Sequence, residues 1–573
     1  MAKEKWMVAA KRADFNAIAE KFGIDPVTAR LIRNRDIVGD EAIEEYLHGG
    51  LQYLHDPMGL PDMDKAVCIL KKKIEEGKRI RVVGDYDIDG IMASYILKRG
   101  LTELGAQADI RIPDRIRDGY GINEHIVRDA ALDGIDTIVT VDNGISAGPQ
   151  MALARELGMT AIVTDHHEVL EMPEADAVID AKREDCTYPY REMCGAAIAW
   201  KLVLALGGDP EMDLLQYAAF ATIGDIVDLT GENRIIVKEG LKRLHKTSNV
   251  GLKALARACR IPIYSVDPYH IGYVLGPCLN ASGRLNTAMR ALALLEETNP
   301  TAAAGIAQEL KDLNDSRKAM TETGVKEAIR IVEEEGLNKD KILIIYLPDL
   351  HESLAGIVAG RIREKYHHPC FVLTDGEDGV KGSGRSTENY PMFDGLTEVA
   401  HLLTRFGGHP MAAGLTLPRE NVDAFRRELN ALCDLGEEDF RERVLIDVPM
   451  PIAYVSEKVL DEIRLLEPFG KGNPKPIFAE KSVFFEHPRV FGASRNVLKA
   501  RVRSMAASGD AEPNRLGFQP AVRGRSMDAV YFGETEPFLR RIARSPEVSI
   551  AYCPAYNEFN GVRRIQIVIS HFQ

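Results

Sequence analysis

From Arg79 to about Leu229 the chain alternates short β-branched runs with longer amphipathic stretches: RIRVVG before IMASYILKRGLTELG, DTIVTVDNG before PQMALARELG, then TAIVTDHHE. That rhythm belongs to βαβ units, in which a crossover helix returns the chain to a parallel strand. A parallel sheet is covered by helices on both faces, so its strands read as unbroken apolar runs, as these do. The pattern constrains function as well as fold. An open α/β sheet binds its ligands in the crevice beyond the carboxyl ends of its strands, so the residues that directly follow the runs decide the chemistry.

One such sheet does not use up 573 residues. A chain of this length divides into several cores, and 45% hydrophobic content is enough to fill them. The segment Thr287 to Gly336, rich in Ala, Leu, Glu, Lys and Arg, predicts one or more long helices. A second α/β pattern opens at KILIIYLP, continues through AGIVAGRIREKY, PCFVLT and KGSGRS, and closes near AHLLTRFGGHPMAAGLTL. After Val444, closely spaced short strands with many turns predict a small β-barrel of the OB-fold kind. The expected architecture is α/β multidomain: an N-terminal segment plus a parallel-sheet domain over 1–255, a helical connector over 256–336, a smaller α/β domain over 337–445, and a barrel over 446–573.

Eight scattered cysteines with no CxxC pair argue against a zinc ribbon and a disulfide framework. The opening MAKEKWMVAAKRADF has no signal-peptide core, and no later run approaches the roughly 20 apolar residues of a membrane helix. A cytoplasmic protein is expected. The net charge of −14 looks unsuited to a polyanion partner, yet from Lys481 onward 14 Lys and Arg stand against 8 Asp and Glu. An acidic body with a basic terminal module is the expected arrangement.

The loop after the first run, VVGDYDIDGIMAS, sets Asp85, Asp87 and Asp89 at alternating positions before Gly90. Three carboxylates within five residues repel one another unless cations lie between them. Taken alone, the loop reads equally well as an exposed polar turn. Two more strand ends tip the balance: IVTVDNG places Asp142 directly after an apolar run, and AIVTDHHE places Asp165, His166 and His167 after another. A fourth element, AAFATIGDIVDL, carries Asp225 and Asp228 on an apolar helical segment, where an unpaired acid is costly to bury. Each element has a bland account, a solvated acid or a satisfied core histidine. Four converging on one cleft do not.

GDYDIDG, VDNG, TDHHE and ATIGDIVDL resemble the four sequential motifs of the DHH phosphoesterase superfamily, named for the residues here at Asp165, His166 and His167. RIPDRIRDGYGIN, MCGAAIAWKL, GPCLNASGRL, SLAGIVAGRIREKYHHP, KGSGRS, FGGHPMAAGLTL and EPFGKGNPKPIF are similar to segments of the RecJ-type nucleases within it. The resemblance implies a DHH domain, a DHHA1 domain and an OB-fold. It implies a metal-dependent exodeoxyribonuclease of DNA repair and recombination that takes single-stranded DNA from 5′ to 3′ and releases 5′-mononucleotides. One ion is then held by Asp85, Asp87 and Asp142, the other by Asp89, Asp142, His166 and Asp225, with Asp142 bridging. The residue types suit two-metal hydrolysis, and an imidazole among hard carboxylates favours Mn²⁺ first and Mg²⁺ second. His167 is expected to face the scissile phosphate, and Asp165 to orient a histidine from behind.

By the same resemblance, Arg284, Ser383, Arg385 and His409, with Arg115 and Tyr120 as neighbours, form a pocket for the DNA 5′ phosphate. Glycines let an oxyanion approach backbone N–H groups while guanidinium forks bind it; a plain glycine turn is the bland account of each. In the barrel, Arg495, Lys499, Arg501 and Arg503 are the expected strand-binding cluster, with Tyr531 and Phe532 as stacking groups unless they are core. A single-strand-binding protein and a helicase are further partner candidates, and a monomer is the default. Pro410 replaces a small residue common in relatives, and the chain ends soon after the barrel, so contacts made by an additional domain are not expected. Two other readings stay open: a DHH/DHHA1 phosphodiesterase for cyclic dinucleotides or short oligonucleotides, and a non-catalytic DNA-binding replication scaffold. The first group is typically shorter and lacks the barrel; the second usually loses metal carboxylates, and here all are present. A family II pyrophosphatase fits the second-domain motifs less well.

Overall fold

The computed structural model describes residues 4–114, 118–119, 121–285, 287–376, 379–504, 526–545, 547–559 and 561–573, without the side chains of Arg284, Leu285 and Phe559. Strand β1 (Lys5–Val8) and three helices, Phe15–Phe22, Pro26–Asn34 and Asp40–His48, open the chain. The first sheet follows: β2 (Arg79–Val83), β3 (Gln107–Arg111), β4 (Thr137–Val141), β5 (Thr160–Asp165) and β6 (Ala177–Asp180). All pairings are parallel, in the order β3-β2-β4-β5-β6. The chain moves outward from β2 to β3 and then returns to β4 on the other edge of β2. The strand order therefore reverses at β2, and a crevice opens between the carboxyl ends of β2 and β4.

Helix Ile88–Glu103 starts at that crevice, capped by the Asp87 carboxylate, which accepts from the N–H groups of Asp89 and Gly90 at 2.9 and 3.1 Å. Helices Gly195–Leu206 and Leu215–Gly224 pack beside it and are buried on nearly every side. That explains why their sequences show no polar stripe. The connector contains helix Gly276–Leu285, helix Met289–Glu296 and the 35-residue helix Pro300–Glu334, about 50 Å long at 1.5 Å per residue. Its first half puts Ala303, Ile306 and Leu310 into the first domain's core, and its second half puts Ala328 and Val332 into the next domain's core. One rigid rod is thus anchored in both.

The second domain holds β7 (Leu343–Tyr346), β8 (Cys370–Gly376), β9 (Gly379–Arg385), β10 (Arg405–His409) and β11 (Ala412–Leu417), in the order β10-β11-β9-β8-β7. The KGSGRS segment, expected as a phosphate-cradling glycine loop, is strand β9 at the centre of this sheet, bonded on both edges to β8 and β11. Its glycines serve packing. A Cβ on Gly384 would collide with Met392 and Phe371, and one on Gly382 with Leu373 and Leu415. Its backbone groups are committed to the ladder, so anion recognition here falls to side chains.

Strand β12 (Arg443–Ile446) pairs in parallel with β1 and leads into β13 (Val448–Pro449), β14 (Phe478–Phe491), β15 (Val497–Ser504), β16 (Ser526–Phe532), β17 (Val548–Phe559) and β18 (Val562–Phe572). The order is β13-β14-β15-β16-β18-β17, and a further pairing of β14 with β17 closes the ring. The expected grouping set an N-terminal segment beside the parallel-sheet domain over 1–255; the three helices of that segment pack into the barrel's core. Val27, Leu31, Ile32, Ile43 and Leu47 share its core with Val448, Phe478 and Tyr552. Their amphipathic faces carry no sign of which sheet they cover, and only the closed barrel offers them an apolar partner. The eight cysteines are free thiols, most of them buried. No described helix is long and apolar enough to cross a membrane.

Candidate metal centre

The three strand-end loops and the end of helix Leu215–Gly224 meet at the β2/β4 crevice. Ligand atoms of Asp85, Asp87 and Asp142 lie within 4.8 Å of one another, as do those of Asp89, His166 and Asp225, and those of Asp142, His166 and His167. His166 Nε2 joins the sets, 3.0 Å from Asp142 Oδ1, 3.6 Å from Asp89 Oδ2 and 3.9 Å from Asp225 Oδ2. Asp228, the other acid of its segment, turns away to pair with Lys471 at 3.2 Å.

Backbone geometry holds the acids in place. Asp89 accepts from the N–H groups of Gly195 and Ala196 at 2.6 and 2.8 Å, where the N-terminus of helix Gly195–Leu206 favours negative charge. Gly195 has no room for a side chain: a Cβ there would sit 2.7 Å from Asp142 Cβ and 3.0 Å from its Oδ1. Asp142 itself is buried with φ at 59°, a conformation that costs a non-glycine residue about 1–3 kcal/mol and persists only when its surroundings impose it. Asn143 imposes it, donating to the carbonyls of Val141 and Val83 at 2.8 and 3.1 Å and accepting from Ile122 N–H at 3.1 Å. Neither Gly195 nor Asn143 was singled out from the sequence. The glycine opening an apolar helix was visible, but its nearness to Asp142 is a tertiary fact.

Asp165 faces away from the acids. Its carboxylate accepts from Ile145 and His166 N–H groups and lies 2.7 Å from His167 Nδ1. Burial alone would raise the Asp165 pKa, but the His167 contact outweighs it and the pKa is lowered. Burial likewise opposes the charged form of His167, yet Asp165 overcomes it and holds the pKa up at about 9. Burial lowers the His166 pKa, leaving a neutral imidazole with a lone pair to give. For Asp142, burial and then the charges of Asp89, Asp87 and Asp225 push the pKa well above the carboxylate range; Asp225 is raised to about 8 by burial and then by Asp89 and Asp87. Asp87 is raised in the same way. Buried acids that oppose one another's ionisation are a mismatch for the bare protein. Oxygen-rich and joined by one neutral imidazole, they fit two divalent cations.

In the second domain Ser383 and Arg385 converge over helix Glu352–Tyr366, where a Cβ on Gly356 would meet Arg385 Nη2 at 2.8 Å and Ser383 Oγ at 3.2 Å. Burial, then the neighbouring Arg363, lowers the Arg385 pKa. His409 and Arg385 are both partners of Ala412, on opposite edges of β11, which sets their backbones about 10 Å apart. The Arg284 side chain, Arg115 and Tyr120 lie outside the described residues.

The description "DHH family, N-terminal domain" matches residues 79–224, "DHHA1 domain" residues 339–434 and "RecJ OB domain" residues 446–571. The single-stranded-DNA-specific exonuclease RecJ of Bacillus subtilis (strain 168) is 34% identical over 99% of this chain and 70% of its own length. The chain belongs to the RecJ family. RecJ of Escherichia coli (strain K12) is 32% identical, with 96% of each chain covered. The crystal structure of RecJ in complex with Mn²⁺ from Thermus thermophilus superposes with a TM-score of 0.82 at 27% identity, over 99% of this chain and 79% of that one.

In this RecJ-family chain the barrel's cationic cluster lies on β15. Leu498, Ala500 and Val502 point inward, while Lys499, Arg501 and Arg503 stand exposed on the outer face. The row is not purely positive: Arg501 has Glu486 and Asp528 as cross-strand neighbours, and Arg503 pairs with Glu486 at 3.3 Å. Lys499 lies over the Phe491 ring at 5.7 Å. Arg495 sits apart, in the turn between β14 and β15. Tyr531 packs edge-on against Phe538 and Phe572 and is part of the core, because β16 turns it inward; Phe532 points out.

Proposed function

We propose that this chain is a single-stranded-DNA-specific exonuclease that degrades from the 5′ end and releases 5′-mononucleotides with two divalent ions, Mn²⁺ preferred over Mg²⁺. The observation that carries the reading is the convergence of Asp85, Asp87, Asp89, Asp142, Asp225 and His166 at the point where the strand order reverses. The relatives' names and the Mn²⁺ and Mg²⁺ held by the Thermus RecJ structures support it. Bound there, such ions supply a nucleophilic water at neutral pH and offset charge on the phosphoryl oxygens.

In this scheme Asp85, Asp87 and Asp142 would hold one cation, and Asp89, Asp142, His166 and Asp225 the other. Asp165 fixes the His167 ring through Nδ1 and keeps it protonated, so Nε2 donates to a non-bridging oxygen or to the departing 3′ oxygen. Ser383, Arg385 and His409, with Arg284, Arg115 and Tyr120, take the 5′ phosphate. A pocket one nucleotide from the acids accounts for direction and product size together. The exposed barrel cations, Arg495, Lys499, Arg501 and Arg503, catch the strand before it enters. Residues 256–336 act as the connector between the 5′-phosphate domain at 337–445 and the acids. A cytoplasmic site of action, in repair and recombination beside a helicase and a single-strand-binding protein, completes the reading.

The test is a purified-protein assay with Mn²⁺ on end-labelled single-stranded DNA, duplex DNA and cyclic dinucleotide. Stepwise release from the 5′ end of the single strand alone is the expected result. Turnover of the dinucleotide only would replace the reading with a phosphodiesterase.

A further inference from the structure

Three tyrosines between residues 264 and 273 are among the most exposed apolar side chains described: Tyr264 at 72%, Tyr269 at 62% and Tyr273 at 68%. None of them belongs to a hydrophobic core. Tyr269 and Tyr273 stack on each other, with ring centres 5.1 Å apart and planes at 27°. The His270 ring meets Tyr269 edge-on at 5.9 Å, and the pair stays largely exposed to solvent. Tyr273 lies within a π-helical turn, Ile271–Leu275, a distortion of helix geometry that recurs at functional sites.

The footing of this turn is the metal-site scaffold itself. A methyl on Gly272 would touch Ile223 at 3.9 Å, and one on Gly276 would meet Ile88 at 3.1 Å. Ile223 stands two residues before Asp225, and Ile88 stands between Asp87 and Asp89. Next to Asp225, Ile226 is 66% exposed and held at φ 59°, a conformation that is a genuine outlier for a β-branched residue. On the same lip Lys471 reaches Asp228. The turn that carries the rings is thus footed on Ile223 and Ile88, which neighbour the acids in the chain, and the strained, exposed Ile226 directly follows one of those acids.

We propose that Tyr269 and Tyr273, with Ile226, are a base-stacking platform that receives the nucleotides of a single strand as it approaches the metal centre. The proposal rests on the exonuclease reading and adds to it a source of strand selectivity. Stacking on aromatic rings tolerates every base, because every base has a π-face, and it suits an enzyme that must pass over any sequence. In a duplex those faces are covered by neighbouring base pairs, so only an unpaired strand can use the platform. The barrel cations act on phosphates, which duplex and single strand share, and cannot make that distinction.

The experiment compares binding of two 5′-phosphorylated oligonucleotides of equal length and charge, one ordinary and one with an abasic tract behind its first nucleotides. EDTA is present to prevent cleavage, and fluorescence anisotropy gives the readout. Wild-type protein is expected to prefer the ordinary strand, and the Tyr269→Ala/Tyr273→Ala variant to lose roughly tenfold or more of that preference. The Tyr269→Phe/Tyr273→Phe variant keeps it, because stacking needs the ring and not the hydroxyl. An alanine variant with the full preference, or a phenylalanine variant that loses as much as the alanine one, overturns the proposal: the first shows that the rings do not read the bases, the second that the hydroxyls and not the rings carry the effect. Nucleotide release from the same ordinary strand with Mn²⁺ judges the exonuclease reading separately.

Discussion

Asp89 and Asp142 are almost fully withdrawn from solvent, whereas Lys499, Arg501 and Arg503 stand on the outer face of a barrel strand. Under the proposed function both groups meet the same phosphodiester chain, in opposite physical regimes. In the crevice a charge has lost its water, and Asp87 and Asp89 are held by backbone N–H groups and Asp142 by a backbone in strain. On the barrel the charges keep their water and are partly balanced by Glu486 and Asp528. They are screened by salt and individually weak. The proposed function gives chemistry to the first region and capture to the second, so perturbations of the two should differ in kind as well as in size.

The largest expected effect is from Asp142→Ala, which removes the carboxylate common to both ligand sets. Nucleotide release in Mn²⁺ should fall by on the order of 10³-fold or more, the worth of several kcal/mol of charge stabilisation. Retained turnover would dissolve the contrast by making the crevice no more demanding than the barrel. Gly195→Ala comes next. Its new methyl displaces Asp142 without removing any ligand, and a shift approaching 1 Å costs about 10²-fold. An unchanged kcat would show that the crevice is less rigid than its geometry indicates.

Replacing Lys499, Arg501 and Arg503 together by alanine should mainly weaken binding. The plot of log affinity against log salt should flatten by about 2, three phosphates at about 0.7 each. A loss that does not vary with salt would mean that these residues do something other than screen charge.

The smallest effect concerns pH. In the metal-free chain Asp142 and Asp225 have raised pKa values, the latter about 8, against about 3.9 for an unfolded Asp. Between those limits the folded state binds more protons than the unfolded one, so stability is lost as pH rises through the window. Scanning calorimetry with EDTA should show Tm falling by a few degrees from pH 6 to pH 8, and Mn²⁺ should remove the trend. A metal-free Tm that rises instead would contradict the burial of these acids.

Much of the crevice was legible in the chain. Acids placed directly after apolar runs could only gather at strand ends, because parallel strands bring all their carboxyl ends to one edge. Less of the second domain was readable. KGSGRS has the composition of a phosphate loop, but tight neighbours such as Phe371 and Leu415 need glycine in a central strand as much as an anion does in a loop. Of the expected barrel cations, Lys499, Arg501 and Arg503 alternate along β15 while Arg495 lies in the turn before it; whether Tyr531 stacks or packs stayed open in the chain, since one register step decides whether a strand aromatic faces core or solvent.

By itself the sequence determined the sheet type, the sites of the metal-fitting acids and the presence of a basic barrel, because periodicity and strand-end position are local properties that the backbone enforces. Only the tertiary structure decided that the first three helices complete the barrel, that Gly195 must be small because Asp142 lies against it, and that Tyr269 and Tyr273 stand exposed on a turn footed on Ile223 and Ile88. Those facts depend on which surfaces remain uncovered after distant segments have packed. No local pattern records that outcome.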